Sequence, residues 1–294
     1  MKIGLFAIGI GAAAHPAVIR AAAETAERTG FATVWAPEHI VLFDTHESKY
    51  PYDESGRFAT PADFDRLDPF LALTFAAAVT SKVRLATGIC LVPERNALIL
   101  AKEVATLDRL SGGRFALGVG IGWLKEEFDA LGVPFERRAK RTREYIDVMR
   151  KLWSEPVATH AGEFVRFERA RSYPKPRQGA KVPIWFGGES EPALKRVATY
   201  GDGWFGFNLN PAQAREKIVR LRALIKERGR ERERFEIIAS PYTQKITRDD
   251  LKRYRDAGVD EIPMLITLKQ NPAETRAAVE QMAREWVEPA AKIS

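Results

Sequence analysis

One cysteine, Cys90, occurs in 294 residues. No intramolecular disulfide can form, and a reducing compartment is expected. Only four histidines are present, His15, His39, His46 and His160, and their spacing fits no metal-ligand pattern, so no metal centre is expected. No apolar run approaches the roughly 20 residues that a spanning helix needs, so no membrane contact is expected. The opening MKIGLFAIG has a single lysine and turns polar too early for a secretory leader. A cytoplasmic protein is the expectation. The densest basic runs are residues 137–141 and 226–234, and aromatic residues are missing from the second, where glutamates alternate with arginines as on a solvated helix. Without rings to stack bases, that run argues against nucleic acid. The net charge of +7, from 46 Lys and Arg against 39 Asp and Glu, then points to an anionic small ligand.

What is present is a strict alternation of strand and helix. Apolar β-rich runs cover residues 2–8, 32–40, 83–92, 115–119, 182–186, 204–207, 235–239 and 261–266. Helix starts follow them: Asp68-Pro69, Asn96, Asn210-Pro211, Thr247 with Asp250, and Asn271-Pro272 all carry N-cap chemistry. Gly30 and Gly112-Gly113 stand where helices end. Eight strand–helix pairs argue a parallel sheet, and eight is the number that closes a barrel. The predicted fold is α/β, a (β/α)8 TIM barrel, with residues 1–294 forming a single domain. Two segments break the rhythm, so insertions are expected after strand 2 and before strand 5. Residues 41–67, rich in Asp, Tyr and Pro, read as a binding loop or lid. Residues 156–181 contain a candidate hairpin at residues 163–167.

The chain is organised around RFALGVGIGW, residues 114–123. A strand there runs into Gly118, Gly120 and Gly122. A second copy of the device, VPIWF followed by Gly187-Gly188, precedes a helix starting near Ser190 or Glu191. Such turns either only reverse the chain tightly or let backbone N–H groups cradle a phosphate. Two of them at successive strand ends favour the phosphate reading. A Rossmann fingerprint does not fit, because Trp123 stands where the last glycine belongs and the turn follows the fourth strand. His39, at the end of the second strand, lies where barrel catalysts cluster and is the candidate acid or base. The alternative is a core histidine bonded beside Glu38. Gly88, inside the third strand, marks a bulge or a close backbone approach. Cys90 reads as a small buried hydrophobe. Glu126 and Glu127, next to Lys125, read as a solvated helix face. Trp35, Trp123, Trp185 and Trp204 read first as packing, though four rings near strand ends also suit a flat ligand.

The segments WAPEHI, ATGICLVPERN, LDRLSGGRFALGVGIGWLKEEFDALGV and ARSYPKPRQGAKVPIWFGGESEPALKRVATYGDGWF together resemble the luciferase-like monooxygenase superfamily along essentially the whole chain. The likeness is greatest to its deazaflavin (coenzyme F420)-dependent branch. The resemblance implies a barrel with insertions, usually a homodimer, that binds F420 or FMN at the C-terminal mouth. It implies that the backbone of Gly120, Ile121, Gly122, Gly187 and Gly188 holds the cofactor phosphate. A bulge supporting the ring, often with a non-proline cis peptide, would fall at Gly88 and Ile89, with His39 near the reactive edge of the ring. Sugar-phosphate dehydrogenases of the branch carry a glutamate where this chain has Trp123, which argues against that substrate and leaves His39 as the proton-handling candidate.

Three functions are therefore expected in order. The first is an F420-dependent oxidoreductase moving a hydride between the cofactor and a small organic substrate, with the basic balance suiting the anionic cofactor tail. The second is an FMN-dependent two-component monooxygenase that needs a partner reductase. The third is a non-catalytic cofactor-binding barrel, which would have its site plugged near Trp123.

Overall fold

The computed structural model describes residues 1–58 and 60–293. The first strand, β1 (Lys2–Phe6), leads through α1 (Pro16–Arg28) to β2 (Thr33–Ala36), and α2 (Pro69–Ala78) returns the chain to β3 (Arg84–Thr87). A short continuation, β4 (Cys90–Leu91), precedes α3 (Ala97–Leu110), and β5 (Phe115–Gly120) is followed by α4 (Lys125–Ala130) and α5 (Arg138–Ser154). A hairpin of β6 (Ala158–Ala161) and β7 (Arg166–Ala170) comes before β8 (Ile184–Gly187) and α6 (Glu191–Tyr200). The remainder alternates without insertion through β9 (Gly203–Phe207), α7 (Pro211–Glu227), β10 (Glu236–Ser240), α8 (Arg248–Ala257) and β11 (Glu261–Leu265). The final helix, α9 (Pro272–Met282), passes through a π turn into α10 (Glu288–Ala291).

The large sheet is parallel throughout and runs β3-β2-β1-β11-β10-β9-β8-β5-β4. A further pairing of β3 with β5 closes it, so β3 and β4 count as one interrupted strand and the chain is an eight-stranded (β/α)8 barrel. The N-cap chemistry read from sequence is in place. Asp68, Asn96, Asn210 and Asn271 each accept from the first-turn amides of the helix that follows, and Thr247 with Asp250 forms a capping box. Among the described residues no helix is long and apolar enough to cross a membrane.

The break in the third strand is a bulge. Ala86 pairs with Ala116 and Cys90 with Val119, so four steps on one strand oppose three on the other. The Gly88–Ile89 peptide within it is cis. The bulge pushes the Thr87 carbonyl against β5, where a Cβ on Gly118 would come within 2.0 Å of that oxygen. Gly118 therefore makes room for the bulge rather than for a ligand.

Two departures from the sequence reading have simple causes. The second strand stops at Ala36, because Pro37 has no N–H to continue the ladder, so His39 stands three residues beyond the strand end. The strands of the hairpin flank residues 163–165 instead of containing them. There the Glu144 carboxylate accepts the amides of Glu163, Phe164 and Val165 at 2.8–3.0 Å, which makes this segment the turn.

Inside the barrel, Phe6, Trp35, Trp185, Phe205 and Ile238 fill the lumen, with Trp35 5.0 Å from Phe205 and 5.3 Å from Trp185 between ring centres. The N-terminal end is closed by charge. Arg84, opening β3, donates to Glu236 at 3.0 Å and to Glu261 at 2.9 Å, the residues that open β10 and β11. Thr33 and Trp35 donate to the same Glu261 carboxylate, each at 2.9 Å. A plugged lower half leaves the C-terminal mouth as the place for chemistry.

Candidate active site

At that mouth lies a cavity of about 800 Å³. Its size falls in the range of small-molecule and cofactor sites. His39, Gly88, Ile89, Gly120, Ile121, Gly122, Gly187 and Gly188 all line it, so the sequence candidates converge on one space. The glycine turns bracket Ile89, whose side chain occupies the room that a Cβ on Gly120 or Gly187 would take, at 2.6 and 2.7 Å. The bulge thus presents an isoleucine as an apolar floor between two bare stretches of backbone.

His39 is held from behind. Its Nδ1 lies 2.7 Å from Glu127 Oε2, and the other oxygen of that carboxylate accepts the amides of Ile40 and Val41 at 2.5 and 3.1 Å. A carboxylate offers only acceptors here, so Nδ1 carries the proton and Nε2 is the ring nitrogen left for a ligand. Glu127 was expected on a solvated helix face; its side chain is 0% exposed. The six-residue helix α4 explains the difference. Lys125 and Asp129 form the solvated side, 2.5 Å apart, while Glu127 turns inward and Glu126 accepts the amides of Glu47 and Ser48 at 2.7 and 3.1 Å. Unpaired backbone N–H groups of the aperiodic insertion need acceptors, and this acidic pair supplies them. Glu94 is also buried beside Glu127 and Glu38, and neither of its carboxyl oxygens has a hydrogen-bond partner. Burial and those two neighbouring carboxylates push it up to about 10, so Glu94 is neutral at physiological pH.

On one side of the mouth two guanidiniums meet the glycine turns. Arg138 donates from Nε to the Gly122 carbonyl at 3.1 Å and stacks 3.7 Å over Phe135. Arg196 lines the same space, on α6, whose N-terminus is capped by Ser190, two residues after Gly188. Among the described residues neither has a carboxylate within ion-pair distance. Burial lowers both from the ordinary arginine value, and Arg138 lowers Arg196 further. Two desolvated cations beside bare backbone and a helix N-terminus are a donor set with the chemistry to hold an anion.

The remaining wall is aromatic. Tyr50, Tyr52, Phe58, Phe207 and Tyr242 line it together with Trp123, which meets His39 edge-on at 5.9 Å. Glu189 sits among them, accepting the Phe207 amide at 2.8 Å and the Tyr52 hydroxyl. Burial pushes Glu189 up to about 7. Arg66 completes this side. Sequence reasoning missed Arg66, Arg138, Glu189 and Arg196: Arg66 and Glu189 lie in loops, Arg138 opens α5, Arg196 sits in the middle of α6, and none carries a motif of its own. Cys90, Trp35, Trp185 and Trp204 are buried and stand outside the lining, so of the four tryptophans only Trp123 faces the cavity.

The fold recurs in known proteins. An uncharacterised Mycobacterium tuberculosis protein, Rv0953c, is 41% identical over 187 residues, a match spanning 63% of this chain and 65% of that relative's length. The coenzyme F420-dependent tetrahydromethanopterin reductase of Methanopyrus kandleri superposes with a TM-score of 0.76 at 18% identity, over 98% of each chain. The Streptomyces bottropensis monooxygenase RslO1 superposes at 0.77 with 22% identity, over 98% of this chain and 99% of that one. Both superpositions describe the fold. The luciferase-like monooxygenase family model matches residues 1–292. The chain belongs to the luciferase-like monooxygenase family.

Proposed function

We propose that the protein is an F420-dependent oxidoreductase that exchanges a hydride with a small organic substrate at the barrel mouth. The observation that carries this reading is the anion site. Among the described residues Arg138 and Arg196 lack carboxylate partners, and they flank the turns at Gly120–Gly122 and Gly187–Gly188, a donor set that fits a phosphate-bearing cofactor. When bound, F420 supplies a two-electron carrier that takes up or gives a hydride. The chain's own part is positioning. The glycine turns and the two arginines would hold the phosphate, Ile89 and the bulge would support the ring, and the aromatic wall would exclude water. Glu127 fixes the tautomer of His39 so that Nε2 can accept or donate a proton. The insertion at residues 41–67 would act as a lid.

The net charge of +7 favours a cofactor with a polyanionic tail, and the F420-dependent Methanopyrus reductase shares the whole fold. A second reading, an FMN-dependent monooxygenase served by a partner reductase, draws on the equal likeness to RslO1. The open cavity beside Trp123 argues against a plugged, non-catalytic barrel. Calorimetric titration with F420 and FMN side by side tests the order. Micromolar or tighter F420 binding with negligible FMN binding supports the proposal, and the reverse moves the protein to the monooxygenase reading. Binding of neither overturns the phosphate reading of the turns. In the Arg138→Met, Arg196→Met double variant, affinity for the bound cofactor should fall by at least about 100-fold, since hydrogen bonds to charged groups contribute about 1.5–3 kcal/mol each.

Two copies would pair through α2 and α3, which lie side by side and expose Leu71 (73%), Phe75 (38%), Leu98 (39%) and Ile99 (60%). Exposed apolar side chains gathered on neighbouring helices suit a homodimer contact. Light scattering should report a dimer for the native chain and a monomer for Ile99→Asp.

A further inference from the structure

Arg66 stands apart from the anion site just described. It lies near the end of the insertion, and backbone bonds fix it there. The Gly11 amide donates to the Asp65 carbonyl at 2.8 Å, the Leu67 amide donates to the Gly9 carbonyl at 2.9 Å, and Ile10 and Arg66 form an antiparallel bridge. The returning limb of a long irregular loop is thus clamped to the segment that follows β1. In strand order β1 is separated from β5 by β2 and β3, whereas the glycine turns and Arg138 belong to β5 and β8. A phosphate at those turns leaves Arg66 on a different arc of the mouth.

The side chain of Arg66 lines the cavity, half-buried among rings, with its guanidinium 5.8 Å from the centre of Phe58. Its Nε is buried with no hydrogen-bond partner, and no carboxylate lies within ion-pair distance among the described residues. The acidic groups on this side are already engaged. Glu127 is held by His39 and two amides, and Glu189 by Tyr52 and the Phe207 amide. Desolvating an unpaired cation is costly, and a ring at this distance returns only a small part of that cost. At the bottom of this same barrel the guanidinium of Arg84 meets two carboxylates. A rigidly placed guanidinium with a free Nε edge has the fork geometry that accepts a carboxylate through two parallel hydrogen bonds. Around it Phe6, Tyr50, Phe207 and Tyr242 offer ring faces, with Phe207 and Tyr242 only 4.4 Å apart.

We propose that Arg66 selects the substrate: the site takes small organic acids whose carboxylate docks on Arg66 while a planar apolar body lies against the aromatic wall. This rests on the reading of the mouth as a cofactor-and-substrate site, and the test separates the two. Protein loaded with whichever cofactor it binds is titrated calorimetrically with 2-naphthoate and with 2-naphthamide, which has similar shape and no charge. Native protein should bind the carboxylate at least ten-fold more tightly. Arg66→Met should abolish that preference while cofactor affinity stays within about two-fold, and Arg66→Lys should keep part of it. Equal affinities in the native protein overturn the proposal. So does a preference that survives in Arg66→Met, or one lost in the Arg138→Met, Arg196→Met pair instead, which would place the carboxylate at the glycine turns. If neither F420 nor FMN binds, the cofactor reading fails alone. The same probes titrated into the free protein with saturating inorganic phosphate then decide the role of Arg66, by the same preference and the same loss.

Discussion

Arg84 at the base of the barrel and the three arginines that line its mouth are treated in opposite ways. At the N-terminal end Arg84 is tied to Glu236 and Glu261, and its guanidinium also lies 4.7 Å over Trp185. At the C-terminal end Arg66, Arg138 and Arg196 face a cavity with no carboxylate in ion-pair range among the described residues. The same side chain serves closure below and capture above. A charge satisfied by the protein stabilises the fold, whereas a charge left for something else lowers stability until a ligand arrives.

Breaking the lower end should be the more damaging. Arg84→Met strands two carboxylates at the base of the lumen, and urea unfolding should show a loss of about 3–5 kcal/mol. A loss below about 1 kcal/mol would mean that the lower network does not hold the barrel shut. Next comes the support behind His39. Glu127→Ala removes the acceptor for three donors and should cost about 2–3 kcal/mol. Hydrogen exchange at the amides of residues 40 and 41 should quicken accordingly, and unchanged exchange would detach Glu127 from the site. A smaller effect, on the order of 2 kcal/mol, should come from Glu189. Its carboxyl is raised to about 7, so its stabilising share is complete below the ordinary 4.5 and is lost as pH rises towards 7. Stability measured from pH 4.5 to 7 should fall in the native chain and fall less in Glu189→Gln. The least change in stability should follow Arg138→Met and Arg196→Met. Each should shift ligand-free unfolding by no more than about 0.5 kcal/mol. Destabilisation of either variant to the extent of Arg84→Met would erase the distinction between the two ends.

The barrel was legible in the sequence because its signals are local. A cap such as Asn96 or Asn210 acts within three residues of itself, and the glycine turns after β5 and β8 declare backbone exposure without reference to any partner. The glycine arc of the site was readable for the same reason. Its side-chain half was not. His39 and Glu127 are 88 residues apart, and the Lys125–Asp129 pair on the same short helix made Glu127 read as solvated. Arg66 occupies an aperiodic stretch whose placement depends on a clamp to residues 9–11, which no periodicity announces. Glu189 follows the second glycine turn so closely that the turn drew the attention and the carboxylate passed unremarked. A donor-and-acceptor account of the insertion amides would have pointed to the 126–127 pair.

Trp123 turns the site into its own optical probe. The chain has six tryptophans. Trp35, Trp153, Trp185, Trp204 and Trp286 are buried, while Trp123 faces the cavity beside His39 and Tyr50. Among the six indoles it is Trp123 that exchanges solvent for ligand when the mouth fills. With a colourless ligand, the part of the tryptophan emission change that disappears in Trp123→Phe therefore reports occupancy of the mouth without a label.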